Sequence, residues 1–154
     1  MNLRADDRAF RRIRCLSAGA GSLLAIGGVC AWAMVTQQLR HEKITVPEHA
    51  DLLPGRRVQG PVTAFAQSLA IQRNAEHIAG GRTFADISDA LHGVDPQSDE
   101  AKKLHSQSTT LATAASLRTS LMTSVLAYGV SGLATGLGVL ILAVGSQIGK
   151  ALRH

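Results

Sequence analysis

The sequence predicts an all-α membrane protein with two transmembrane helices and a small helical segment between them. No charged residue occurs from Cys15 to Leu39 or from Thr119 to Gly149. Because a helix rises about 1.5 Å per residue, each stretch is long enough to cross a hydrocarbon core of roughly 30 Å. The apolar share is 45% and the aromatic share only 3%. This composition favours helices of Leu, Ala, Val and Gly over a β-rich core.

The excess positive charge lies at the two ends of the chain. Residues 1–14 hold five arginines against two aspartates, residues 149–154 add one lysine and one arginine, and residues 35–120 hold nine basic and nine acidic residues. Short basic segments are retained in the cytoplasm, so we expect cytoplasmic tails at 1–14 and 149–154 and an extracytoplasmic segment at 37–120. Membrane lipids, rather than nucleic acid, are the expected partners of such end charges.

The first apolar stretch is predicted to form a transmembrane helix over residues 15–36. Trp32 lies near its outer end, where indole rings favour the membrane interface. A cleavable secretory signal is the alternative, because a basic start and an apolar core precede the small-residue pattern Ala31-Trp32-Ala33. The apolar run is longer than a usual signal core, which favours an uncleaved anchor.

Small residues recur along both apolar stretches and predict faces for helix packing. Small side chains let helix backbones approach closely in a bilayer, where burial from water no longer drives association. We expect these faces to pack on each other or on a partner subunit, although glycine is also simply common in membrane helices. The predicted packing residues are Ser17, Gly21, Gly28, Gly129, Gly132 and Gly136.

The stretch 37–60 is predicted to be an irregular extracytoplasmic loop, because prolines and glycines interrupt it. It has room for a short extended piece at Lys43 to Val46. Arg56 and Arg57 lie within this loop and could bind an anion or a lipid headgroup. The alternative is that this exposed pair is simply solvated.

Helical signals resume in the segment 61–97. Pro61 suits the first turn of a helix running to about Ala79, and Thr83-Phe-Ala-Asp86 resembles a capping box that opens a shorter helix. Neither Pro nor Gly interrupts the chain from Gln97 until Gly129. We therefore expect one continuous helix, with an outward stalk at 98–120 and the second transmembrane helix at 121–148.

Catalytic and metal-binding patterns are not found in the sequence. The six histidines are scattered without the tight ligand spacing of a zinc site. No nucleophile stands beside a plausible base. Neither apolar stretch carries an ionisable group at mid-depth, which argues against an ion or proton path through this chain alone. We therefore expect a protein that is not an enzyme and has no catalytic residues, metal or cofactor.

Three motifs occur in order along the chain. They are Pro54-Gly-Arg-Arg-Val-Gln-Gly-Pro61 followed by Val-Thr-Ala-Phe-Ala-Gln67, then His77-Ile-Ala-Gly-Gly-Arg-Thr-Phe-Ala-Asp86, then Ser116-Leu-Arg-Thr-Ser-Leu-Met-Thr-Ser-Val-Leu-Ala-Tyr-Gly-Val130. On these motifs the chain resembles a family of small two-pass actinobacterial membrane proteins that are often labelled aromatic ring-opening dioxygenase, LigA type. The resemblance implies two-pass topology in a bacterial plasma membrane. It implies no activity, since the iron-binding His and carboxylate set of extradiol dioxygenases has no equivalent here.

These observations lead to two hypotheses about function. The first is a non-catalytic accessory or stabilising subunit of a larger bacterial membrane complex, such as a respiratory or other energy-transducing assembly. Other integral membrane subunits would then be its partners. The second is an extracytoplasmic module that binds a lipid, a quinone or an envelope component.

Overall fold

The computed structural model is all-helical, which confirms the all-α part of the prediction. It describes the backbone of residues 3–151 and the side chains of residues 11–147. Helix accounts for 78% of the chain, and the described residues contain no strand. Two of the helices are long and apolar enough to cross a membrane. The four helices are α1 (Leu3–His41), α2 (Pro61–Ile78), α3 (Phe84–His92) and α4 (Asp99–Ala151).

The boundaries of the long helices differ from those expected. Helix α1 begins at Leu3 and ends at His41, so residues predicted as a basic tail are helical from Leu3 onward. The side chains of residues 1–10, and those of the C-terminal tail 149–154, lie outside the described part of the chain. Helix α4 is a single uninterrupted helix, as its lack of an early Pro or Gly predicted.

The chain divides into two compact units. The helical pair comprises Met1–Gln37 and Leu126–His154, and the central unit comprises Gln38–Val125. Large apolar side chains on the helical pair are widely exposed, including Leu23, Val130 and Leu140. Such a surface is what a membrane-spanning helix presents to acyl chains, so it is compatible with a membrane location.

Local signals set both ends of α2. Pro61 occupies the first turn, and the Thr63 hydroxyl accepts the backbone N–H of Gly60 at 3.1 Å. At the other end Gly80 and Gly81 have φ of 65° and 77°, a left-handed conformation that suits glycine. The Gly81 N–H donates to the Glu76 carbonyl and the Gly80 N–H to that of His77, which forms a Schellman cap.

The central unit has a small apolar core beside this cap. Ala79, Ile87 and Leu104 are buried together, so α3 packs between the end of α2 and the first half of α4. Gln107 of α4 donates from Nε2 to the Ile78 carbonyl at 3.2 Å and accepts from Arg82 at 3.0 Å. These bonds occupy a free carbonyl at the end of α2 and fix α4 beside it.

The predicted capping box of α3 is confirmed. The Asp86 N–H donates to Thr83 Oγ1 at 3.2 Å, and the Thr83 N–H donates to Asp86 Oδ2 at 2.8 Å. This backbone hydrogen bond, with a second one from the Thr83 hydroxyl, lowers the pKa of Asp86 below its ordinary value. A carboxyl group with a lowered folded-state pKa stabilises the fold above its unfolded pKa. That stabilisation is lost as the pH falls through the pKa of Asp86 in the folded state.

Replacing Thr83 with alanine should therefore destabilise α3 by about 1 kcal/mol, the usual loss for an N-cap hydroxyl. Amide hydrogen exchange across residues 84–92 measures this loss of stability. Thr83→Ser keeps the hydroxyl and should exchange like the wild type. Part of the wild-type protection should disappear below about pH 4, the ordinary aspartate range. Equal protection in Thr83→Ala and Thr83→Ser would show that the cap contributes nothing.

Candidate functional site

The loop after α1 is folded back on itself by a short antiparallel bridge. Thr45 pairs with Arg57. The Val46 N–H donates to the Arg56 carbonyl, and the Val58 N–H to the Ile44 carbonyl, both at 2.9 Å. Val46 and Val58 are each only 1% exposed. Because successive side chains of an extended segment point to opposite sides, burying Val58 directs Arg57 outward.

Arg57 thereby joins two cations from the end of α1. A cavity of about 330 Å³, the basic pocket, is lined by three cationic side chains and by no acidic one. Its residues are Arg40, Lys43, Ile44, Arg57, Val58 and Gln59. The pocket therefore offers three positive charges to a ligand together with the uncharged amide of Gln59.

A second, more open pocket of about 560 Å³ adjoins the basic pocket. The two share Arg57 and Gln59, and Arg56 lines only the second one. The sequence singled out Arg56 and Arg57 as an adjacent pair. The structure instead groups Arg57 with Arg40 and Lys43, which the sequence reasoning missed. In the sequence, Arg40 is distinguished only as the first charged residue after the apolar stretch, and Lys43 is not distinguished at all.

Lys43, two residues after the end of α1, has an unusual backbone conformation. Its φ is 52°, in the left-handed region that glycine normally occupies at a helix end. Its N–H donates to the Arg40 carbonyl at 3.3 Å. For a residue with a side chain this conformation costs roughly 1–2 kcal/mol. The chain thus places an ammonium group where a glycine would be less strained.

Two of the predicted packing glycines lie in the contact between α1 and α4. A Cβ atom added to Gly28 would lie 2.3 Å from Thr135 Oγ1, and one added to Gly21 would lie 2.9 Å from the Gly138 carbonyl oxygen. Both distances are too short for any real side chain. At these two positions the helices pack backbone against backbone.

Of the predicted residues of α4, Gly129 and Gly136 lie away from this contact and Gly132 lies near Trp32 of α1. A Cβ on Gly129 or Gly136 would meet no atom within 4 Å, and one on Gly132 would only approach the Trp32 ring at 3.7 Å. The contact uses Gly138, whose Cβ would lie 2.5 Å from the Ala25 nitrogen, and Gly145, whose Cβ would lie 3.3 Å from Ser17 Cβ. Ser17 thus lies on the contact face, and the sequence reasoning missed Gly145.

An aromatic pair lies in the same contact, toward the end of α1 at His41. The rings of Trp32 and Tyr128 meet edge to face with centroids 4.7 Å apart. The Thr36 hydroxyl donates to the Trp32 carbonyl at 2.9 Å, so at 2.7 Å it accepts from the Tyr128 hydroxyl. Tyr128 is buried, and this bond satisfies its polar group within the helical pair.

Another pocket, of about 380 Å³, lies between residues 49–52 and α2. His49, Asn74 and His77 line it, and an ion pair between Asp51 and Arg73 ties the loop to the helix. Across the described part of the chain, no three His, Cys, Asp or Glu side chains come close enough to hold a metal ion. The pocket therefore combines two imidazoles with an ion pair that is already formed.

Comparisons with known proteins do not extend these observations. No family model matches the chain, and no curated protein or solved structure is significantly similar to it. The class of the protein follows from its own architecture, which is all-helical with two apolar helices that could span a membrane.

Proposed function

We propose that this chain is a non-catalytic integral membrane protein that serves as an accessory or stabilising subunit of a larger bacterial membrane complex. In this proposal α1 and α4 cross the plasma membrane, both termini are cytoplasmic and residues 37–120 are extracytoplasmic. Residues 98–120 of α4 form a stalk outside the bilayer. The distribution of basic residues at the two ends of the sequence supports this orientation.

The contrast between closed and open glycines is the observation that carries the proposal. Gly21, Gly28 and Gly138 lie in the contact between α1 and α4, where an added Cβ atom would clash with the facing helix. Gly129 and Gly136 are seven residues apart on α4 and share one face. A Cβ atom at either position would have no other atom within 4 Å. In a bilayer a small-residue face allows a second helix to approach closely. We assign this open face to a helix of a partner subunit.

Affinity purification from native membranes tests the proposal. The full chain, tagged after His154 and extracted in a mild detergent, should bring down other membrane subunits at fixed stoichiometry. The double variant Gly129→Leu/Gly136→Leu should reduce their recovery about tenfold, since leucines would separate the helices by several ångströms. Gly27→Leu adds the same side chain at an open glycine of α1 and serves as the control. A wild-type chain that returns alone would rule out the subunit role.

A binding role for the central unit is the second candidate function. Its ligand would be a lipid, a quinone or another envelope component, as the loop sequence suggested. The basic pocket favours an anionic ligand, because three cations line it without an acidic residue. An uncharged quinone would leave these charges unbalanced. Among the three ligand classes, an anionic lipid therefore has the best support.

A further inference from the structure

We propose that Arg40, Lys43 and Arg57 bind the phosphate group of an anionic phospholipid in the outer leaflet of the membrane. The shared chemistry is a phosphate ester, which a soluble phosphate would also provide. Assignment to a lipid of the outer leaflet rests on the topology proposed above. The capacity to bind phosphate does not rest on that topology, because it depends only on residues of the central unit.

Charge concentration is the first argument. Residues 35–120 are balanced, with nine basic and nine acidic residues. Four of the nine basic residues line the basic pocket and its neighbour. No acidic residue lines the basic pocket, whereas the Glu48 carboxylate lies against Gly55 of the neighbouring pocket. The four are Arg40, Lys43, Arg56 and Arg57. Gathering like charges in one place is unfavourable unless an anion balances them.

These cations are also free to bind a ligand. Within residues 11–147 the two ion pairs are Asp51 with Arg73 and Asp99 with Lys102. Neither pair includes a residue of the basic pocket. A guanidinium presents paired N–H donors that match two phosphate oxygens, and an ammonium adds a compact charge. Two arginines and one lysine therefore suit a phosphate group well.

The position along α1 favours a lipid as the source of the phosphate. Arg40 is the first charged residue after the apolar stretch that ends at Leu39. Where α1 leaves the hydrocarbon core, the next groups it meets are lipid headgroups. Pro61 and Val62 line the adjoining pocket, and Val62 is 61% exposed. An apolar wall next to the cations matches a ligand with both a phosphate and an acyl chain.

The backbone conformation at Lys43 makes it possible to test the role of the ammonium group separately from the stability of the fold. Lys43→Gly removes the ammonium and also relieves the left-handed strain at φ 52°. Loss of a purely structural residue should weaken the fold. Here we expect the opposite: Lys43→Gly should bind phosphate less well and be at least as stable as the wild type.

The test uses the full chain purified in a neutral detergent. Retention of phosphatidylglycerol is measured by native mass spectrometry, with zwitterionic phosphatidylcholine as the reference lipid. We expect Arg40→Gln/Arg57→Gln to lower phosphatidylglycerol retention at least about tenfold, the equivalent of one lost charge-assisted contact. Lys43→Gly should lower it about threefold without lowering the unfolding temperature. Lys103→Gln removes an exposed cation outside both pockets and should change nothing.

Two further readouts identify the source of the phosphate. Inorganic phosphate and glycerol phosphate, titrated into the same sample, should bind at least tenfold more weakly than phosphatidylglycerol by calorimetry. Equal affinities would support the phosphate site but overturn its assignment to a lipid. Unchanged phosphatidylglycerol retention in Arg40→Gln/Arg57→Gln would overturn the site itself. Neither result affects the subunit role, which the copurification experiment measures separately.

Discussion

Replacing Gly28 with leucine is expected to break the contact between α1 and α4. Even the Cβ atom would lie 2.3 Å from Thr135 Oγ1 and 2.6 Å from the Ser131 carbonyl oxygen. The Thr135 hydroxyl is already bonded to that carbonyl at 2.9 Å. The second obstacle is backbone, so rotating a side chain cannot relieve the clash.

Overpacking a tight interface typically costs 1–3 kcal/mol, and we expect about 3 kcal/mol or more for Gly28→Leu. The single tryptophan provides the measurement. Trp32 meets the ring of Tyr128 on the opposite helix edge to face, so its fluorescence should report separation of the two helices during titration with a denaturing detergent. Gly28→Ala should show a smaller shift in the same direction, because it adds only the Cβ atom.

Gly27→Leu is the matched control for this experiment. It lies one residue away on the same helix, and a Cβ atom there meets nothing within 4 Å. Its free energy of unfolding should stay within about 0.5 kcal/mol of the wild-type value. If Gly27→Leu were as damaging as Gly28→Leu, the contact face of α1 would have been assigned wrongly.

The sequence predicted the helices better than it predicted the contacts between them. The ends of α2 and the start of α3 depend on neighbouring residues, namely Pro61, the Gly80-Gly81 pair and the Thr83 cap. Such signals act over a few residues and can be recognised in a sequence. The prediction of these elements therefore needed no knowledge of the rest of the fold.

The packing face of α4 could not be predicted in the same way. Gly132-x-x-x-Gly136 has the spacing of a close helix contact, yet Gly136 is open and the contact passes through Gly138 and Gly145. Spacing shows that two residues share a face but not which neighbour that face meets. The rotation of α4 toward α1 is settled by all the contacts together, including the Trp32–Tyr128 pair.

The basic pocket shows the same limit for charges. Arg56 and Arg57 are adjacent in sequence, but the bridge at Thr45 turns alternate residues to opposite sides. Arg57 therefore meets Arg40 and Lys43, which precede it by 17 and 14 residues. Only the return of the loop over residues 47–55 creates this grouping. A linear reading could find the cations but not the pocket.

Replacing Ile87 with alanine should destabilise the central unit by about 2–5 kcal/mol, the range for deleting a large buried aliphatic side chain. Ile87 is 0% exposed and packs with Ala79 and Leu104, beside the partly buried Leu91 and Leu111. Many other buried positions of this unit are small. They include Ala64, Ala66, Ala75 and Ala101.

This composition makes the effect of Ile87 large for the size of the unit. A buried alanine contributes little apolar area, so the few larger side chains supply much of the hydrophobic stabilisation. Phe84→Ala, on the same helix, is the control, because Phe84 is 52% exposed and should lose less than about 1 kcal/mol. Hydrogen exchange of the α3 amides measures both variants. Equal losses of protection in the two variants would mean that α3 is stabilised by its cap and its surface contacts. A loss confined to Ile87→Ala would show that packing of Ile87 against Ala79 and Leu104 stabilises it.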